Sequence, residues 1–213
     1  MAKLWQQLTH RLIDCHCHLH QYANSSELKQ ELLDASIRCH LMSVSPKDLS
    51  IIEKNFPEEQ FIRHLGYFPL ELSSATEVNI EEYFTLAQDY PYIGEVGLDY
   101  CEENESERQK QRNFLNRVIE LNNQKPKLIS LHSRRAVDEL LDILENMTQG
   151  HALLHWLSAT EEQIQRALQN PQIFFSINPA MTKSRQAKTW LKVLPKERVL
   201  CETDGPYIKM GQK

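Results

Sequence analysis

Short apolar runs recur along the chain at intervals that leave room for a helix between neighbours. Aliphatic, aromatic and β-branched residues concentrate at 11–16, 39–44, 61–66, 92–96, 127–132, 152–155, 173–177 and 198–202, each short enough for a strand. Between several of them the spacing changes to a helical period, most clearly over 105–122, 135–146, 160–169 and 184–193. In the first of these, Phe114, Leu115, Val118, Ile119 and Leu121 fall on one side with charged residues between them, as on a helix lying against a sheet. Thr160 followed by Glu161, Glu162 and Gln163 has the form of a helix cap with carboxylates in the first turn. Strand and helix in alternation imply parallel strands joined by crossover helices.

Eight such strands predict an α/β chain folded as a single (β/α)8 TIM-type barrel. The 213 residues are fewer than the roughly 250 typical of that fold, and only residues 203–213 follow the eighth strand. The final helix is therefore expected to be short or missing. A doubly wound open sheet would satisfy the same alternation, so the placement of polar residues must separate the two. Here they interrupt strand after strand at the C-terminal end: His16 and His18 after the first, Glu95 in the fourth, His132 and His155 ending the fifth and sixth, Asp204 after the eighth. A barrel collects such positions at one mouth.

Composition narrows the function classes. No Pro/Gly/Ser-rich linker or repeat divides residues 1–213, so one domain is expected. No run of about eighteen apolar residues exists and Met1–Gln7 lacks a secretory pattern, so a cytoplasmic protein without a membrane span is the expectation. Five cysteines in an odd set without paired CxxC spacing favour reduced thiols. A net charge of −5 argues against coating nucleic acid through the overall field. Basic residues do gather at Arg134 and Arg135 and at Lys183, Arg185, Lys188 and Lys192, the latter spacing being that of a solvated helix face.

The chemistry starts at Asp14-Cys15-His16-Cys17-His18. Residues two apart on a strand share a face, so His16 and His18 point together and can grip one ion. Four histidines and two carboxylates from separate strands suit one or two divalent ions with mixed nitrogen and oxygen coordination. His10, His40, His64 and His151 occupy no comparable strand-end position, and the chain is expected to leave the first strand before His20.

These segments resemble the TatD-type metal-dependent deoxyribonucleases of the amidohydrolase-like barrels. Asp14 to His18 is similar to the family's DxHxH motif, and Gly94-Glu95-Val96-Gly97-Leu98-Asp99-Tyr100 to its E-x-G-L-D-Y segment. His132-Ser133-Arg134, His155-Trp156 and Glu202-Thr203-Asp204-Gly205-Pro206-Tyr207 resemble its later motifs. The resemblance implies two divalent ions (Mg, Mn or Zn) held by His16, His18, Glu95, His132, His155 and Asp204, with Asp14 orienting one histidine. It makes Asp204 the base, with Glu95 beside it in catalysis, and Arg134 a contact to substrate phosphate. The implied reaction is hydrolysis of DNA by activated water, on single strands or ends. Residues 131–136, 154–158, 175–181 and 198–206 are further similar to the TatD-related nuclease component of Qat anti-phage defence systems, which implies other Qat proteins as partners. One departure stands out: where many relatives carry Gly-x-His-Pro after the third strand, this chain has Gly66-Tyr67-Phe68-Pro69. A small-molecule amidohydrolase or lactonase, and a metal-binding subunit with vestigial hydrolysis, would use the same ligands.

Overall fold

A computed structural model describes residues 12–101 and 104–208. Eight strands alternate with seven helices: β1 (Ile13–Cys17), α1 (Ser25–Asp34), β2 (Arg38–Met42), α2 (Pro46–Asn55), β3 (Phe61–His64), α3 (Glu77–Ala87), β4 (Tyr92–Asp99), α4 (Glu105–Gln124), β5 (Leu128–Arg134), α5 (Val137–Leu144), β6 (His151–Leu154), α6 (Glu161–Leu168), β7 (Ile173–Ile177), α7 (Arg185–Trp190) and β8 (Val199–Cys201). Parallel ladders run β1-β2-β3 and β4-β5-β6-β7-β8. Two seams join these sheets into a ring. At one, Leu65 N–H donates to Tyr92 (3.0 Å) and Gly94 N–H to Leu65 (2.9 Å). At the other, Asp204 N–H donates to His16 (2.9 Å) and His18 N–H to Gly205 (2.8 Å). The fold is the expected α/β barrel.

Strand alternation sorts the interior from the helical shell. On β5, Ile129 and Leu131 are fully buried in the hydrophobic core, while Ser130 and His132 take the opposite face. Helix α5 meets that core with Val137, Leu140, Leu141 and Leu144, the i, i+3, i+4, i+7 stripe of an amphipathic helix. Each such side chain is worth about 1.5–3 kcal/mol when buried. A smaller cluster of Cys17, Leu19, Cys39, Leu41, Ile52, Phe56 and Phe61 fills the space between β1–β3 and their helices. Helix starts follow the caps in the sequence: Thr160 and Gln163 form a reciprocal capping box at α6, as do Thr76 and Asn79 at α3.

Some boundaries moved. β4 runs through Gly97 to Asp99 rather than stopping at Val96. Gly97 adopts φ +144°, and a Cβ there would lie 2.1 Å from the His132 carbonyl oxygen, so close pairing with β5 demands a glycine where the sequence pattern suggested a break. No helix follows β8 among the described residues, which end at Ile208. Residue 11 of the expected first strand and the Met1–Gln7 segment lie outside them. All five cysteines are free, and no helix among the described residues is long and apolar enough to cross a membrane.

Candidate metal centre

At the C-terminal mouth the barrel brings His16, His18, Glu95, His132, His155 and Asp204 together. Glu95 is the centre of the cluster, 3% exposed, and its two oxygens face different partners. Oε2 lies 3.2 Å from His18 Nε2 and 3.7 Å from His16 Nε2. Oε1 lies 2.8 Å from both His132 Nδ1 and His155 Nε2. Asp204 Oδ1 approaches the first pair, 3.6 Å from His16 Nε2 and 3.8 Å from His18 Nε2. The His16 and His155 rings stack at 3.8 Å, which ties the two halves together.

Surrounding groups hold these rings in place. His132 Nε2 sits 3.0 Å from Asp99 Oδ2, leaving Nδ1 aimed at Glu95. His16 Nδ1 sits 2.8 Å from Ser130 Oγ. Glu202, fully buried, accepts from Asn178 Nδ2 (2.9 Å), Ser176 Oγ and the Trp156 N–H (3.1 Å), and lies 3.9 Å from His155 Nδ1. Among the described residues Asp14 hydrogen-bonds to no imidazole ring, contrary to the role expected of it. Its carboxylate accepts from the Thr203 N–H (3.0 Å), Thr203 Oγ (2.6 Å) and the His16 N–H (3.3 Å). Two residues earlier on the same strand face, it meets the segment leaving β8 and ties that segment to β1.

Asp99 and Glu202 lie within the motif segments 94–100 and 202–207, where no ligand or catalytic role was expected of them. A strand that ends at Val96 leaves Asp99 off the face of Glu95, whereas alternation carried through Gly97 places both on one face. Ser130 had no signal, since a serine in an apolar strand is ordinary. His20 leaves the strand as expected and pairs with Asp48 at 3.0 Å. His64, expected away from strand ends, does end β3, but its Nε2 meets His40 Nδ1 at 2.8 Å and its Nδ1 lies 3.2 Å from the Ile93 carbonyl, so it has no part in the cluster.

The electrostatics separate the two carboxylates. Burial works to raise Glu95, yet His155 and His132 hold it well below the ordinary carboxylate range. Burial raises Asp204 to about 7, and the Glu95 charge adds to that rise against the pull of His155. Burial lowers His16 far below the usual imidazole value, with His155 contributing. His132 goes the other way: contacts with Asp99 and Glu95 overcome burial and raise it to about 9.

The donor set fits a divalent cation. Among the described residues His16 Nε2 and both ring nitrogens of His18 are buried without a hydrogen-bond partner, although His18 Nε2 is close to Glu95. An orphaned buried polar atom costs about 1–3 kcal/mol, and a cation would satisfy the nitrogens aimed at the carboxylates. His16, His18 and Glu95 place ligand atoms within 4.8 Å of one another, as do Glu95, His132 and His155. Above the cluster opens a cleft of about 800 Å³ lined by Phe68, Leu70, Arg134, Arg135, Trp156 and Tyr207 together with Glu95, His132, His155 and Asp204.

A barrel with such a mouth defines a metal-dependent hydrolase. Residues 13–213 match the TatD related DNase domain, and the chain belongs to that family. It is 25% identical to the putative deoxyribonuclease tatdn3 of Danio rerio over 94% of this chain and 82% of that protein. It is 29% identical to an uncharacterized metal-dependent hydrolase of Buchnera aphidicola over 92% of this chain and 78% of that protein. Its fold matches YJJV, a TatD homologue from Escherichia coli K12, with a TM-score of 0.79 and 23% identity over 93% of this chain and 80% of that one.

Proposed function

We propose that the protein is a divalent-metal-dependent deoxyribonuclease that cleaves phosphodiester bonds of single strands or ends through two ions. The carrying observation is Glu95, whose two carboxylate oxygens face separate histidine pairs. In this reading His16, His18, Asp204 and Glu95 Oε2 hold one ion, and His132, His155 and Glu95 Oε1 hold the other. Such ions supply a lowered pKa for water and positive charge against the attacked phosphate. Asp204 is the base, since its carboxylate stands beside the His16 and His18 pair and also lines the cleft where substrate would enter. Asp99 keeps the His132 ring turned so that Nδ1 faces the site. Arg134, exposed at the cleft rim, contacts a substrate phosphate with its planar guanidinium.

We further infer a cytoplasmic role in bacterial anti-phage defence with other Qat proteins, supported by the motif likeness over 131–136, 154–158, 175–181 and 198–206. The test of the enzymatic reading uses purified protein loaded in turn with manganese, magnesium or zinc and labelled single- and double-stranded DNA. Cleavage is expected, and Asp204→Asn should lower it at least about 100-fold. Absence of cleavage with every metal overturns the reading. For the defence setting, Asp204→Asn in the native operon should abolish protection in a phage plaque assay; unchanged protection refutes that part.

A further inference from the structure

We propose that Trp156, with the apolar wall of Phe68 and Leu70, holds an unpaired nucleobase beside the scissile phosphate. This rests on the phosphodiesterase reading above and names what the cleft takes next to the phosphate.

The two described tryptophans behave differently. Trp190 is 1% exposed in the core, whereas Trp156 is 39% exposed and lines the cleft. Its neighbours at that opening include Leu70 and Tyr207, also among the exposed large hydrophobic side chains. Three such groups around one polar centre make a surface for a flat apolar ligand. Trp156 also has φ +35°, a costly conformation for a bulky residue, and its N–H is anchored to Glu202 Oε1. The same carboxylate that lies beside His155 thus sets the backbone that presents the indole. Phe68 packs edge-on against the His132 ring at 5.0 Å and makes that wall apolar.

Charge selects the ligand class. Arg134 and Arg135 line the same cleft, both are exposed, and neither forms an ion pair among the described residues. A ligand with a flat apolar face and an adjoining anion matches this arrangement, and a nucleotide within a strand is such a ligand. Inside a duplex both faces of a base are covered by stacking, so a base must come from a single strand or a strand end to lie against Trp156.

The test compares two single-stranded oligodeoxynucleotides of equal length, one bearing bases and one with abasic tetrahydrofuran residues throughout, using the manganese-loaded protein. Wild type should prefer the base-bearing strand in kcat/KM, and Trp156→Ala should reduce that preference about 5- to 150-fold, the usual worth of one base–aromatic stack. Trp156→Phe should retain most of it. Fluorescence supplies a readout independent of turnover: the base-bearing strand should quench wild-type emission, the abasic strand should not, and the quench should vanish in Trp156→Phe. Cleavage with an unchanged preference in Trp156→Ala, and no Trp156-dependent quench, overturns the base site while leaving the nuclease reading intact. Base-dependent quenching without cleavage under any metal supports the base site and overturns the nuclease reading.

Discussion

Acidifying the metal-stripped protein from pH 7.5 to pH 5 is expected to cost wild type about 2 kcal/mol more stability than it costs His40→Gln. Inside the barrel His64 Nδ1 lies 3.2 Å from the Ile93 carbonyl, so it serves as donor, and His64 Nε2 accepts from His40 Nδ1 at 2.8 Å. A further proton on either ring must enter a buried space shared with the Tyr92 ring and the field of Arg38. Burial first, and Arg38 second, lower His40 to about 4. Burial and the His40 charge lower His64 well below its ordinary value. The unfolded chain takes up the His40 proton near 6.5 and the folded chain only near 4, so the unfolded state binds more protons in between and stability falls as pH drops through that window. At pH 5 the unfolded imidazole is about 97% protonated and the folded one about 9%, which gives the figure of about 2 kcal/mol. Glutamine at position 40 can still donate to His64, so it removes the titrating group while keeping the bond. Histidines of the metal cluster titrate in both proteins and cancel in the difference. Urea unfolding at the two pH values measures it. Equal losses in wild type and variant would refute the reasoning.

Metal should stabilise the fold, because it binds a preformed donor set: manganese at about 100 times its Kd adds about 2.7 kcal/mol, seen as a rise of about 5–10 °C in Tm that a chelator reverses. Asp99→Asn should lower metal affinity or kcat/KM about 10- to 100-fold by freeing the His132 ring, and nuclear magnetic resonance of the metal-free protein should find the His132 titration below its value of about 9. Gly97→Ala should destabilise by about 1–3 kcal/mol in urea, since its Cβ would meet the His132 carbonyl in a left-handed conformation.

Local pattern carried a large part of this protein. The alternation of apolar runs with helical stretches implied parallel strands and crossover helices, because strand and helix periods are properties of neighbouring residues, and the polar residues at the strand ends favoured a closed barrel over an open sheet. The six candidate ligands were visible for a related reason: polar side chains at the ends of apolar strands stand against their local background. The thiols were also readable as free from their count and spacing. Elsewhere a local signal has two meanings. Gly97 resembled punctuation, yet it lets β4 pass tightly against β5, and stopping there hid Asp99.

Only the folded chain decided which groups meet. Nothing near Asp14 in sequence indicates that its carboxylate joins Thr203 across the β8–β1 seam, or that Ser130 is the partner of the His16 ring. Separations of 189 and 114 residues put these contacts beyond any local rule. The same holds for Glu95, whose place between two histidine pairs depends on four strands closing around one carboxylate, and for Trp156, whose exposure comes from a backbone held by Glu202. Residue types and their periods are set by the chain itself; distances between side chains on different strands exist only once the ring has closed.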